Sequence, residues 1–145
     1  MIKNSLVIAA IILIVFSGCG IKNNTGGSGK VVPGKTPVVS YHSLGNGVAD
    51  ISLILFENDT FRFDLESIPQ PGTREKPVRI REKGSYQTED NWRILYFSSP
   101  GFALDAVFDP QFSDGNDFLV IDEKTLKINE QNNTLFIWGI ACEKQ

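Results

Sequence analysis

Short runs in which apolar and polar residues alternate dominate the chain from about residue 41 to its end. The clearest run spans residues 51–65, where two β-rich stretches flank the sequence Glu57-Asn58-Asp59-Thr60. In the second stretch Phe61, Phe63 and Leu65 alternate with charged residues, which is the period of two expected of a half-buried strand. Asn and Asp tolerate turn geometry. This pattern therefore predicts an antiparallel hairpin.

Similar runs follow, separated by stretches rich in Pro, Gly, Ser, Asn and Asp. They lie at residues 77–81 with 84–86, 92–97, 102–108, 118–121, 126–128 and 134–142. The last two runs are predicted to form a hairpin around residues 131–133. No segment shows a helical period of apolar residues. About eight short strands joined by turns predict an all-β fold, an antiparallel meander closed as a small barrel or folded as a sandwich. We expect this domain to begin between Pro37 and Val48.

The amino-terminal segment has a different pattern. Lys3 precedes an unbroken apolar run over residues 6–16, and Ser17-Gly18-Cys19 follows. A run of about 11 apolar residues is too short to span a bilayer as a helix, and its layout is that of a cleaved export signal. Residues 20–35 are rich in Gly and Asn and show no apolar period, which predicts a flexible tether.

The cysteine directly after Ser17-Gly18 resembles the lipobox of bacterial lipoproteins. The resemblance implies cleavage before Cys19, a diacylglycerol group on its thiol and an acyl chain such as palmitate on its new amino terminus. A simple signal peptide and an uncleaved anchor are the alternatives. The predicted organisation is a signal peptide at 1–18, a lipid-anchored tether at 19–40 and a β-barrel domain at 41–145. An Asp directly after the lipidated cysteine resembles a signal for retention in the inner membrane, and this chain has Gly20 there instead. We therefore expect the protein to lie in the outer membrane, facing the periplasm.

The domain itself resembles small bacterial lipoproteins with lipocalin-like barrels, such as the amino-terminal domain of the copper-resistance lipoprotein family. The residues that carry the likeness are the Asn58-Asp59 turn, Thr60-Phe61-Arg62-Phe63 and Gly84-Ser85-Tyr86, within residues 51–97. The resemblance implies a lipocalin-like barrel. The CxxC motif that this family uses for metal or redox response is absent from the sequence, so metal sensing is not carried over.

Charge and composition exclude some function classes. Removal of residues 1–18 takes away one charged residue, Lys3, so the net charge moves from −3 to −4. Such a mildly acidic chain gives no basis for a nucleic-acid partner. Catalytic residues are scarce, because His42 is the only histidine, and Cys142 ends an apolar strand where a buried, inert thiol is expected. We therefore predict no enzyme activity and no cofactor.

Two charged regions have competing interpretations. Asp109, Asp114, Asn116 and Asp117 offer oxygen ligands in one loop, but their spacing is not that of an EF-hand, so a solvated turn is preferred over a Ca²⁺ site and no metal site is predicted. Residues 74–83 are rich in Arg and Lys, whereas residues 105–123 contain six acids and no base. These regions are either solvated faces or a polar contact patch for a partner or an anionic ligand.

Three predicted strands, at residues 51–56, 92–97 and 135–140, have apolar residues on both faces. A barrel strand with water outside should be apolar on one face alone. If Leu53, Ile94 and Ile137 point inward, the outward set forms a possible contact face of six residues: Ile54, Phe56, Leu95, Phe97, Phe136 and Trp138. Either the chain itself covers this face, through residues 38–41 or the loop around Phe112, or it binds a partner protein or a second copy.

The sequence therefore predicts a membrane-anchored envelope lipoprotein with a non-catalytic binding role. Two hypotheses remain for that role. In the first, the barrel interior holds a small apolar ligand, as barrels of about eight strands can. In the second, side chains fill the interior and the outer hydrophobic face contacts an envelope protein.

Overall fold

A computed structural model describes residues 33–145. The fold is all-β, with nine antiparallel strands in one sheet that curls into a nearly closed barrel. The strands are β1 Pro37–Ser43, β2 Ala49–Phe56, β3 Thr60–Ser67, β4 Arg79–Glu89, β5 Trp92–Phe97, β6 Phe118–Asp122, β7 Thr125–Asn129, β8 Thr134–Ile137 and β9 Ile140–Lys144. The predicted fold class is confirmed. The predicted signal peptide, Cys19 and most of the tether lie outside the described residues.

Strand pairing follows the chain order through the first five strands and then departs from it. The sheet order is β6-β7-β5-β4-β3-β2-β1-β9-β8. Strands β1 to β5 form a simple meander, whereas β7 returns to pair with β5 and leaves β6 at one edge. At the other end β9 pairs with β1 and leaves β8 at the second edge. A helical turn, α1 Leu104–Val107, contacts β6, and the Val107 carbonyl accepts a hydrogen bond from Trp138 N–H after β8.

The hairpin predicted at residues 51–65 is present. Leu55 pairs with Phe61 across the β2–β3 turn, and Asp59 in that turn has φ 57°. Asp residues adopt this left-handed conformation more readily than most others, which explains why the turn forms here. Strand β4 runs unbroken to Glu89, so Gly84-Ser85-Tyr86 continues a strand and does not start a new one.

Three predictions about boundaries and pairing are wrong. Strand β1 begins at Pro37, within the range expected for the start of the domain, so the error is the assignment of residues 37–40 to the tether. Residues 102–108 are not a strand: their buried side chains are Leu104, Val107 and Phe108, a helical spacing of three and four, and α1 turns all three toward the core. Residues 134–142 do not pair with β7, because they form the β8–β9 hairpin by themselves.

Side chains fill the interior of the barrel. The central strands turn alternate residues inward, and aromatic rings pack there edge to face or at a tilt. The ring centroids of Phe61 and Phe97 lie 4.8 Å apart, and those of Phe63 and Phe108 lie 5.6 Å apart. We call this set the interior ring cluster: Phe61, Phe63, Phe97, Phe102, Phe108 and Phe118.

Close approach of two strands requires glycine at position 84. A Cβ atom placed on Gly84 would lie 1.9 Å from the carbonyl oxygen of Tyr96 and 2.6 Å from the ring of Phe61. No side chain fits in that space. The Gly84-Ser85-Tyr86 sequence therefore holds β4 close to β5 and lets the Phe61 ring pack inside.

Candidate functional site

The six residues of the predicted contact face do not lie on one surface. Leu95 and Phe97 are buried in the barrel core, so the prediction is wrong for these two, whereas Phe56 is buried outside the core cluster. Ile54 lies half-buried on the outer side of β2, and Phe136 and Trp138 are each 38% exposed. Four of the six predicted residues therefore lie outside the core, and three of them, Ile54, Phe136 and Trp138, are at least partly exposed.

The wrong assignment of Leu95 and Phe97 has a structural cause in β5. In β5 the inward residues are Leu95 and Phe97, so Ile94 faces outward, opposite to the prediction; Leu53 and Ile137 do point inward as expected. Leu95 pairs with Tyr86 on one side and Leu126 on the other, and both are buried. A shift of one residue in a strand exchanges its two faces.

Phe56 is covered by the chain that precedes β1. Gly34 lies so close that a Cβ atom on it would be 2.7 Å from Phe56 Cβ, and its N–H donates to Thr60 Oγ1 at 3.0 Å. The pairing of β1 with β2 also shifts by one residue between Pro37 and Val39. A β-bulge of this kind bends the strand and redirects its side chains. The chain itself thus covers part of the predicted face, as one of the two interpretations expected.

Three aromatic side chains of this part of the chain are exposed outside the barrel, and we call Phe112, Phe136 and Trp138 the aromatic surface. The rings of Phe112 and Phe136 are stacked, with centroids 6.5 Å apart and an interplanar angle of 22°. Phe112 is 47% exposed, so it covers Phe136 only partly. The Phe112 ring also lies 3.2 Å from the position a Cβ atom would take on Gly139. The β8–β9 hairpin and the 3₁₀ turn Pro110–Phe112 therefore pack against each other.

Trp138 has a backbone conformation that bulky residues rarely adopt. Its φ is 53° and that of Gly139 is 70°, and the flanking Ile137 and Ile140 are paired. Two central residues with positive φ indicate a type I′ turn, which normally contains Asn-Gly. A left-handed non-Gly residue costs about 1–2 kcal/mol. The hydrogen bond from Trp138 N–H to Val107 O, at 2.6 Å, helps to hold the turn.

A shallow cleft extends the apolar character next to Trp138. Its volume is about 460 Å³ and its lining includes Val48, Ile68, Val78 and Trp138. All four of these side chains are exposed. Exposed apolar patches with a polar rim often mark interaction sites. The loops at this end of the barrel therefore add apolar area beside the aromatic surface.

The opposite end of the barrel is closed by a polar cluster that the sequence patterns did not predict. Arg93 and Glu130 form an ion pair at 2.5 Å, with side chains 15% and 25% exposed. The Arg93 guanidinium lies 6.0 Å from the centroid of the Tyr86 ring. Its Nε and Nη1 atoms are buried without a hydrogen-bond partner in residues 33–145. An arginine inside the apolar run Trp92–Phe97 was the available signal.

Two buried tyrosines complete this end. The hydroxyl of Tyr41 donates to Asn132 O at 2.9 Å, and that of Tyr86 donates to Phe56 O at 2.8 Å. Burial, together with the nearby Glu130 carboxylate, raises the pKa of Tyr41 to about 12. Both phenols therefore serve as neutral donors that connect the strands.

The remaining candidate residues do not share a site. His42 and Cys142 lie on the paired strands β1 and β9, but His42 is opposite Glu143 and Cys142 is opposite Ser43, so their side chains point to different faces of the sheet. His42 is half-buried on β1, and Cys142 is buried on β9, where burial raises its pKa to about 12. Asp109 and Asp114 accept hydrogen bonds from backbone N–H groups two residues later, as turn residues do. Within residues 33–145 no group of three or more His, Cys, Asp or Glu side chains is placed to hold a metal ion.

The basic stretch at residues 74–83 is partly neutralised by its neighbours. Arg79 pairs with Glu66 at 2.8 Å, and Arg62 on the adjacent strand pairs with Asp64 at 2.7 Å. All four side chains are substantially exposed, so these pairs contribute little to stability.

Comparison of the chain with models of protein families, with curated proteins and with solved structures found no match. Among the described residues, no helix has the length and apolar character needed to cross a membrane.

Proposed function

We propose that this protein is a lipid-anchored envelope lipoprotein with a non-catalytic role in binding another envelope protein. Its lipid would be attached to Cys19, its location would be the outer membrane facing the periplasm, and its contact site would be the aromatic surface. The resemblance of Ser17-Gly18-Cys19 to a lipobox supports the anchor. The exposure of Phe112, Phe136 and Trp138 supports the contact site.

The observation that carries the contact site is the conformation of Trp138. A residue at this turn position would normally be Asn or Gly, yet the chain places a large aromatic ring there at a cost in backbone energy. Strained residues of this kind cluster at ligand and partner sites. Trp is also among the residues that contribute most to binding at protein interfaces.

The filled interior favours protein binding over the alternative, a small apolar ligand inside the barrel. Phe63 alone contacts the rings of Phe97, Phe102 and Phe108. A ligand at the centre would have to displace rings that are in contact with one another, and closely packed interiors resist such changes.

Site-specific crosslinking in cells would test the contact site. A photoreactive phenylalanine analogue at Phe136 should give a discrete adduct with one envelope protein. The matched control is the same analogue at Tyr96, an outward residue of β5 that is 36% exposed. The proposal is wrong if position 136 gives no adduct, or if positions 136 and 96 give the same adducts.

The anchor needs its own test. Replacing Cys19→Ala should move the protein from the membrane fraction to the soluble fraction or stop its processing. Metabolic labelling with palmitate should then be lost as well. A variant that is processed and fractionates like the wild type would rule out lipidation at Cys19.

A further inference from the structure

A cleft with a mixed apolar and charged lining lies at the end of the barrel that carries α1. It is formed between the chain from Ser99 to Asp105 and the β6–β7 turn, and its volume is about 560 Å³. Its larger apolar side chains are Phe102, Leu104 and Val120. Small-molecule sites in proteins commonly have volumes of about 300–1,000 Å³.

The apolar part of this cleft is preformed. Leu104 is buried in the core, and Phe102 and Val120 pack against it while remaining partly accessible. The ring of Phe102 contacts the rings of Phe63 and Phe97. Because these side chains are held from below by the core, they present a fixed apolar surface to the solvent.

The rim of the cleft is negatively charged. Asp105, Asp122 and Glu123 contribute three carboxylates, and Lys124 contributes one ammonium group. The Lys124 N–H donates to Asp122 Oδ1 at 2.8 Å, and this hydrogen bond lowers the pKa of Asp122. The Lys124 carbonyl accepts a hydrogen bond from Phe97 N–H at 2.8 Å, so the turn is fixed to β5.

We propose that this cleft binds a small amphipathic cation, an organic ammonium ion that carries an apolar group. The apolar group would cover Phe102, Leu104 and Val120, and the ammonium would lie among Asp105, Asp122 and Glu123. Anions of the same size are repelled by the net negative rim, and purely polar cations leave the apolar surface uncovered. This site is separate from the aromatic surface, so the result of its test does not depend on the proposed function.

Binding can be measured on the full protein as it is isolated from cells, embedded in nanodiscs if it purifies with membranes, with empty nanodiscs as the blank for partition into lipid. The probes are hexyltrimethylammonium, tetramethylammonium, hexanoate and hexanol. Hydrogen exchange followed by mass spectrometry locates the bound probe. Hexyltrimethylammonium should slow exchange at residues 99–105 and 120–124, and it should bind at least about tenfold more tightly than each of the other probes, because these lack either the charge or the apolar chain.

Charge-neutral variants sharpen the test. Asp105→Asn with Glu123→Gln should weaken hexyltrimethylammonium binding about tenfold at low salt. The control, Asp109→Asn with Asp114→Asn, removes the same charge outside the cleft and should change the affinity less than twofold. The proposal is overturned if both double variants lose affinity equally, if hexanoate or hexanol binds as tightly, or if the protected segments lie elsewhere.

Discussion

Two groups of aromatic rings in this protein have similar composition and opposite surroundings. Five of the six rings of the interior ring cluster are buried and Phe102 is partly accessible, whereas Phe112, Phe136 and Trp138 lie outside the barrel and are each more than a third exposed. Burial removes apolar area from water at about 25 cal/mol per Å². The first group therefore stabilises the barrel, and the second retains apolar area that a partner can still bury.

The backbone is regular around the interior ring cluster and strained at Trp138 of the aromatic surface. Regular strand positions are occupied by Phe61, Phe63 and Phe97. The Phe61 ring fits because residue 84 is a glycine and has no side chain. Trp138 instead occupies a left-handed turn position that costs energy. The same residue type therefore stabilises the fold in one place and, under the proposed function, would contribute to recognition in another. Four predictions test this contrast, from the largest expected effect to the smallest.

Phe63→Ala should lower the free energy of unfolding by about 3–5 kcal/mol, because it removes a buried ring that contacts three others. Phe112→Ala is the matched change in the aromatic surface, and it should cost less than about 1 kcal/mol because that ring is already half in water. Urea unfolding followed by fluorescence measures both. Equal losses would show that the two groups of rings do not differ in their contribution to folding.

Glu130→Gln should cost about 3 kcal/mol, because it leaves the Arg93 guanidinium in the barrel without a carboxylate. The control is Glu89→Gln, which breaks the exposed pair with Lys127 and should cost about 0.5 kcal/mol. Both are read from urea unfolding at neutral pH. If the two variants lose the same stability, the polar end of the barrel is more hydrated than its burial indicates.

Alkaline pH should destabilise the barrel through Cys142. Its pKa is about 12 in the fold and 9.0 in an unperturbed thiol, so the unfolded chain loses this proton first as the pH rises. The stability that this group contributes is complete below pH 9 and falls between pH 9 and 12, by up to about 1.4 kcal/mol per pH unit. Tyr41 adds a similar loss that begins near its unperturbed value of 10.0.

Unfolding in urea at pH 7, 9 and 10.5 would measure this slope. Cys142→Ala should flatten it above pH 9 and leave the contribution of Tyr41. The same burial predicts slow reaction of Cys142 with thiol reagents in the folded protein. Equal slopes in the two proteins, or labelling as fast as in urea, would contradict the burial of this thiol.

Trp138→Asn should change the stability least, by no more than about 1 kcal/mol, because Asn suits a type I′ turn and offsets the lost indole contacts. Trp138→Val is the informative control, since a β-branched side chain retains the unfavourable turn conformation and also loses the ring. Crosslinking from Phe136 should fall in both variants. A loss above about 3 kcal/mol for Trp138→Asn would place this residue in the core and remove the basis for the aromatic surface.

The sequence by itself determined the β2–β3 hairpin. Alternation of apolar and charged residues along β3 and the Asn58-Asp59 turn both depend on neighbours within a few positions, so the β2–β3 pairing was predicted correctly. The all-β class followed from the same repeated signal. Leu95 and Phe97 were assigned to the wrong face, because two-sided apolar strands carry no local information about which face turns inward.

Tertiary structure decided what depends on distant parts of the chain. Leu95 faces inward because β4 and β7 flank β5, and residues 104–108 form a helical turn because their apolar side chains then meet the core. The pairing of Arg93 with Glu130 joins residues far apart in sequence, and the covering of Phe56 by Gly34 depends on where the chain enters the sheet. Such contacts become visible only when the sheet has closed, since periodicity describes one strand at a time and burial is a property of the whole barrel.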